Sequence, residues 1–196
     1  MAWAGRGAAV SRIMVALIAA IVAARVAEGD RLTAQFAAAD AAEWNVFRDP
    51  DLGIEFSYPN SRRVAAGCHG SKKCVALIDA SAPNNNYLAA FEVFDGPLDI
   101  VAGERAVFQK EGEIWRANGR SAKYPVESLT GPGWQGLKSV VDCGVSDGSS
   151  FHAGAGECLW VVISDGKRSV VADTQGIAGL DQDTMRSILS IRFSTR

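Results

Sequence analysis

The sequence predicts an α+β domain: an antiparallel sheet flanked by helices. Three observations carry this. Short apolar runs alternating with polar residues recur between Gly, Pro and Asn punctuation, the pattern of strands with one buried face. Helical patterning is confined to one stretch near the middle and one near the end. Cys68, Cys74, Cys143 and Cys158 form an even set, as expected of a chain cross-linked in an oxidising compartment.

The first 43 residues stand apart. Arg6 and Arg12 precede an unbroken apolar run, Ile13 to Ala24, which Arg25, Glu28, Asp30 and Arg31 end. Charged, apolar and then polar is the order of an export signal. As a helix the run spans roughly 18 Å, short of the ~30 Å hydrocarbon core, so it reads as a leader (residues 1–24) rather than a permanent span. Val22-Ala23-Ala24 offers small residues for cleavage. A later cut near Ala37 to Ala39, or retention as an anchor, stays open. The apolar run is followed by no Cys for lipid attachment, and Arg6 and Arg12 are not adjacent, as a twin-Arg signal requires. Residues 25–43 have few large apolar side chains, Leu32 and Phe36 among them, and read as a flexible spacer. Residues 44–196 read as a single globular domain.

Its elements follow in order. Trp44 to Arg48 is a short strand, Asp49 to Gly53 a turn, and Ile54 to Tyr58 an alternating strand ended by Pro59. Val75 to Ile78 is a further apolar run, Pro83 to Asn86 a turn, and Tyr87 to Phe94 a strong strand. A helix is expected next, capped by Asp95, with Pro97 in its first turn and Val101, Phe108 and Trp115 repeating at seven, up to Gly112. Asn118-Gly119 either ends a helix or turns a hairpin. Ser121 to Leu129, Gln135 to Cys143, Cys158 to Ser164 and Lys167 to Asp173 read as strands, with Asp165-Gly166 as the best hairpin signal. Cys158 to Ile163 is almost wholly apolar and needs both faces covered. Asp181 caps a closing helix with Met185, Ile188 and Leu189 on one face, and Ile191 and Phe193 form a last strand.

Neighbour pairing of the cysteines is favoured over the two crossed connectivities. Cys68 and Cys74 close a short polar loop, and Cys143 and Cys158 stand at the base of a Gly- and Ser-rich excursion between two strands. Cys68-His69 and Cys74 also place soft ligands together, but the spacing does not match a structural zinc site, and no metal or cofactor is expected.

Two segments carry a family resemblance. Gly53-Ile54-Glu55-Phe56-Ser57-Tyr58-Pro59 follows a short strand and turn, and Thr184-Met185-Arg186-Ser187-Ile188-Leu189-Ser190-Ile191-Arg192-Phe193 runs a helix into a strand. In both the chain resembles the PsbP-like superfamily, which includes the extrinsic oxygen-evolving protein of photosystem II and many exported bacterial proteins. The usual Trp after Tyr-Pro is replaced here by Asn60-Ser61-Arg62-Arg63. The resemblance implies an α/β/α sandwich used for protein binding or assembly, and it supplies no catalytic residues.

The net charge is −2, and removal of residues 1–24 leaves 18 positive against 22 negative residues, or −4. An acidic chain whose basic residues pair only at Arg62-Arg63, Lys72-Lys73 and Lys167-Arg168, all read as solvated turns, is not built for nucleic acid. Of the two histidines, His152 follows Ser149-Ser150-Phe151, which suggests a Ser/His pair without an elbow motif. Glu92 is expected on the outer face of its strand, and Trp115 and Trp160 in the core. Trp134, framed by Gly131-Pro132-Gly133 and Gly136, is expected to close the end of the core, with an exposed anchor as the alternative; on that alternative Phe151 and His152 join it as a candidate partner contact. The reading that results is a periplasmic or secreted, non-catalytic domain that binds or helps assemble another envelope protein. A small-ligand binder or Ser/His hydrolase centred on His152 is the alternative. The partner, process, oligomeric state and cleavage site are not readable.

Overall fold

The computed structural model describes residues 43–81, 87–146, 150–152, 154, 156–174, 176 and 179–194. The expected leader, residues 25–42 of the spacer and the Pro83 to Asn86 turn lie outside them. In chain order the strands begin with β1 (Trp44–Asp49), β2 (Ile54–Pro59), β3 (Arg62–Cys68), β4 (Ser71–Asp79) and β5 (Tyr87–Asp95). Helix α1 (Leu98–Arg105) precedes β6 (Phe108–Glu111), β7 (Ile114–Asn118), β8 (Lys123–Pro125), β9 (Glu127–Gly131) and β10 (Trp134–Asp142). After β11 (Val145–Ser146) and β12 (Phe151–His152) come β13 (Glu157–Ser164), β14 (Arg168–Thr174), helix α2 (Gln182–Leu189) and β15 (Arg192–Phe193).

The architecture follows from β13 and β14. Leu159, Val161 and Ile163 point to one face while Val162 points to the other, all of them buried. Strands apolar on both faces belong in the middle of a covered sheet, and here they do. The central sheet runs β3-β4-β5-β14-β13-β10-β9, with every pairing antiparallel. One core joins Leu159, Val161, Val170 and Phe91 to Ile54 and Phe56 of β2 and to Ile188 and Ile191. The Phe56 and Phe91 rings stack across it with centroids 4.6 Å apart. The second core joins Val162, Val171, Leu137 and Val141 to Val101 and Ala102 of α1, Phe108 and Ala117. The covering layers are mixed, because α2 shares its side with the sheet β1-β2-β15 and α1 shares its side with β6-β7-β8. Among the described residues the domain is therefore mostly antiparallel sheet with two eight-residue helices.

Local chemistry explains the turns. Asp165 Oδ1 accepts from the backbone N–H groups of Lys167 and Arg168 at 2.8 and 2.7 Å, and Gly166 adopts φ +90°. Asp181 caps α2 by accepting from Thr184 N at 2.7 Å.

Several expectations change. The middle helix ends at Arg105, seven residues short of Gly112, and its N-cap position is Pro97 rather than Asp95, with no side-chain cap. Gly112, at φ +64°, instead turns the β6–β7 hairpin. Val101, Phe108 and Trp115 still meet in the second core, but from a helix and two strands. Trp115 and Trp160 pack against that core half-buried. In α2 the buried residues are Thr184, Ser187 and Ile188, while Leu189 is exposed because it lies beyond the stripe that faces β2. Of the basic pairs only Lys167 lies in an exposed turn, that between β13 and β14. Arg62 opens β3 and donates to Asp181 Oδ2 at 2.9 Å, and Lys72 and Lys73 lie within β4. Arg168 is nearly buried and donates to the carbonyls of Gly53 and Ser194 at 3.0 and 2.9 Å, clamping β14 to one end of the small sheet.

The cysteines pair as neighbours, Cys68–Cys74 with Cα atoms 5.3 Å apart and Cys143–Cys158 with Cα atoms 5.7 Å apart. The second bridge stands where Cys158 faces Val141 across β10 and β13, so it closes the base of the excursion. Chain-entropy arithmetic assigns about 3 kcal/mol to the longer loop and about 2 kcal/mol to the shorter. Chemical denaturation of Cys143→Ser/Cys158→Ser and Cys68→Ser/Cys74→Ser should return losses in that order, with both variants still folding.

Candidate functional site

The site grows from one row of residues across the central sheet. Ala65, Ala76, Ala90, Asp173 and Trp160 are successive register partners on β3, β4, β5, β14 and β13, and register partners share a face. Three alanines leave a low floor beside the carboxylate. The β3–β4 turn folds over that floor. Gly67, His69 and Gly70 all have positive φ there, at +82°, +52° and +75°, and the Cys68–Cys74 bridge closes the turn beside His69. For a residue with a Cβ the left-handed region is unfavourable, so the contacts of the closed turn offset a backbone strain at His69.

His69 Nε2 donates to Asp173 Oδ1 at 3.2 Å, and the Tyr87 hydroxyl donates to Oδ2 at 3.4 Å. The imidazole meets the Tyr87 ring edge-on, with centroids 5.2 Å apart. The Asp173 side chain is 12% exposed and that of His69 is 36% exposed. Burial raises the Asp173 carboxyl above its ordinary range, and the charge of Glu92 adds to this, while His69 and Tyr87 oppose it. Burial, then the charge of Asp173, pushes Tyr87 up to about 12.

Next to this cluster a groove of about 300 Å³ opens between β4, β5 and α1. Lys73 and Arg105 face Glu92, Asp95 and Glu104 along it, with Ile100 half-exposed among them. Lys73 Nζ lies 3.2 Å from Asp95 Oδ2, and the Arg105 guanidinium stands 5.4 Å from the centre of the Phe94 ring. Glu92 is half-buried in the groove floor, where it pairs with Cys74 on one side and Val171 on the other.

The residues singled out from sequence fare differently. Trp134 is buried at 7% exposure and is no exposed anchor. The glycines that frame it serve to bury it: Gly133 turns the chain at φ +76°, and the indole lies on Gly131, where a Cβ would come within 2.1 Å of the ring. His152 is exposed on β12 and its Nε2 lies 3.0 Å from Ser150 Oγ. The Phe151 side chain and Ser149 lie outside the described residues. An exposed Ser–His pair lacks the dry, pre-organised setting that acyl transfer uses. Among the described residues no cluster of three or more His, Cys, Asp and Glu is placed to hold a metal ion, and no helix is long and apolar enough to cross a membrane. Asp173 and Tyr87 escaped the sequence reading. The signal available was an acid inside the apolar strand Val170-Val171-Ala172-Asp173.

Tyr87 gives this cluster a spectroscopic handle. Its pKa is higher in the folded chain than in the unfolded one, so its contribution to stability is complete below pH 10 and is lost as pH rises toward 12. Absorbance titration of the folded protein should show one phenol ionising near pH 12 that is missing from Tyr87→Phe; ionisation of all tyrosines together near pH 10 would contradict the burial.

No family model and no curated protein matches the chain. Solved structures similar to it include the following two. The solution structure of cyanobacterial PsbP (CyanoP) from Synechocystis sp. PCC 6803 is 15% identical, with a TM-score of 0.43, over 78% of this chain and 93% of that one. A protein from Bacteroides thetaiotaomicron VPI-5482 is 11% identical, with a TM-score of 0.41, over 79% of this chain, which spans only 50% of that protein's length.

Proposed function

We propose that the chain is an exported, non-catalytic domain of the cell envelope that binds another envelope protein through the groove between β5 and α1. The groove itself is the observation that carries this reading. It sets Lys73 and Arg105 against Glu92, Asp95 and Glu104 around the exposed Ile100. Fixed charges of both signs around an apolar contact select a segment by its charge order. The two bridges support export, since such cross-links persist in oxidising compartments. A periplasmic or secreted location, with the leader removed, is part of the same proposal. The groove volume stands at the lower limit of small-molecule sites, so a small zwitterion is the second reading.

Capture from envelope extract with the folded chain, followed by purification of the captured protein, tests the first reading. Lys73→Glu/Arg105→Glu should bind that protein at least tenfold more weakly than the wild type while keeping the same circular dichroism. Equal affinity would remove the groove from the interface.

A further inference from the structure

We propose that Asp173 and Tyr87 form a seat for a guanidinium group, that His69 fills this seat as an internal stand-in, and that an arginine side chain of a ligand takes the seat when His69 leaves it. The proposal is independent of what occupies the groove. It begins from the carboxylate. An ionised carboxylate this deeply buried needs a cationic or hydrogen-bonding partner. The titratable groups that face Asp173 are His69 from the β3–β4 turn and Tyr87 and Glu92 from β5. His69 alone among them can carry positive charge. Glu92 makes the surroundings more anionic, which favours a cation and disfavours an anion.

The stand-in fits the seat loosely. Its contact of 3.2 Å with Asp173 Oδ1 is longer than the roughly 2.7–2.9 Å of charge-assisted pairs. An imidazole presents one N–H to Asp173, whereas a guanidinium presents a planar fork to both carboxylate oxygens. Tyr87 supplies an aromatic wall, and the alanine row leaves the approach low. His69 is also placed to move. It stands in the left-handed region between two positive-φ glycines, partly exposed, on a turn outside the core. Cys68–Cys74 limits that movement, because one of its half-cystines adjoins His69. The bridge therefore holds the stand-in over the carboxylate, and its loss frees the seat.

The test uses N-acetylarginine methylamide as the probe, with the neutral urea isostere N-acetylcitrulline methylamide beside it, by calorimetry on the oxidised full chain. His69→Ala should bind the arginine probe at least tenfold more tightly than the wild type does, and Cys68→Ser/Cys74→Ser should also gain. Asp173→Asn placed in the His69→Ala background should abolish the gain, and the citrulline probe should show none. Should His69→Ala fold poorly, His69→Gln gives the same reading with a side chain that fills the space without charge. No gain in a folded His69 variant, or an equal gain for both probes, overturns the proposal.

Discussion

Everything in this fold depends on two strands that cannot tolerate water on either side. β13 and β14 bury apolar side chains on both faces, and at roughly 25 cal/mol per Å² of apolar surface removed from water neither face can be left open cheaply. The chain resolves this by folding its ends and its middle onto opposite sides. β1, β2, α2 and β15 cover one face, and α1 with β6 to β8 covers the other. Arg168 then ties the first layer down, because its guanidinium bridges the carbonyls of Gly53 and Ser194, which lie side by side at the end of the small sheet where β2 begins and β15 stops. Its charge is answered by Asp165 at 3.2 Å, so a nearly buried cation becomes a structural clamp.

The same constraint explains where polar chemistry is allowed. A carboxylate inside β14 is tolerated at Asp173 because it stands near the strand's end, beside alanines, where a turn can bring it a partner. Asp142, at the end of β10, is handled in another way. Its Oδ2 accepts from Ser121 N at 2.7 Å while its Oδ1 has no hydrogen-bond partner and packs against Gly119, where a Cβ would come within 1.8 Å. Close packing at this glycine, rather than backbone freedom, is what the position requires.

Much of the fold was legible in the sequence because its signals are local. Alternation, Asp165-Gly166, the Asp181 cap and the spacing of the cysteines each act within a few residues. The failures share a cause too. Val101, Phe108 and Trp115 repeat at a helical interval, yet the period records only that all three reach one core. Arg62 was read as solvated because its partner, Asp181, is 119 positions away. For Trp134 an exposed anchor stayed open beside a place closing the core, because Gly and Pro usually mark loops; here the glycine is the slot that the ring fills. The candidate site was mostly invisible for the same reason. His69, Tyr87 and Asp173 come from three distant segments, and the sheet register alone brings them together.

The shortness of α1 links the fold to the site. Eight residues of helix span about 12 Å, whereas the nine residues of β5 span about 30 Å. Such a helix covers part of the sheet face and leaves the rest to side chains. A helix running on to Gly112, as the seven-residue repeat suggested, would be roughly twice as long and would have material to lay over more of that face. Ending at Arg105 leaves Glu92 lining an open groove and places Lys73 and Glu104 on its opposite banks. The Cys68–Cys74 turn folds over the neighbouring part of the face, and its His69 reaches the one buried acid there. The apolar pattern that demands cover and the helix too short to supply all of it thus create the groove together.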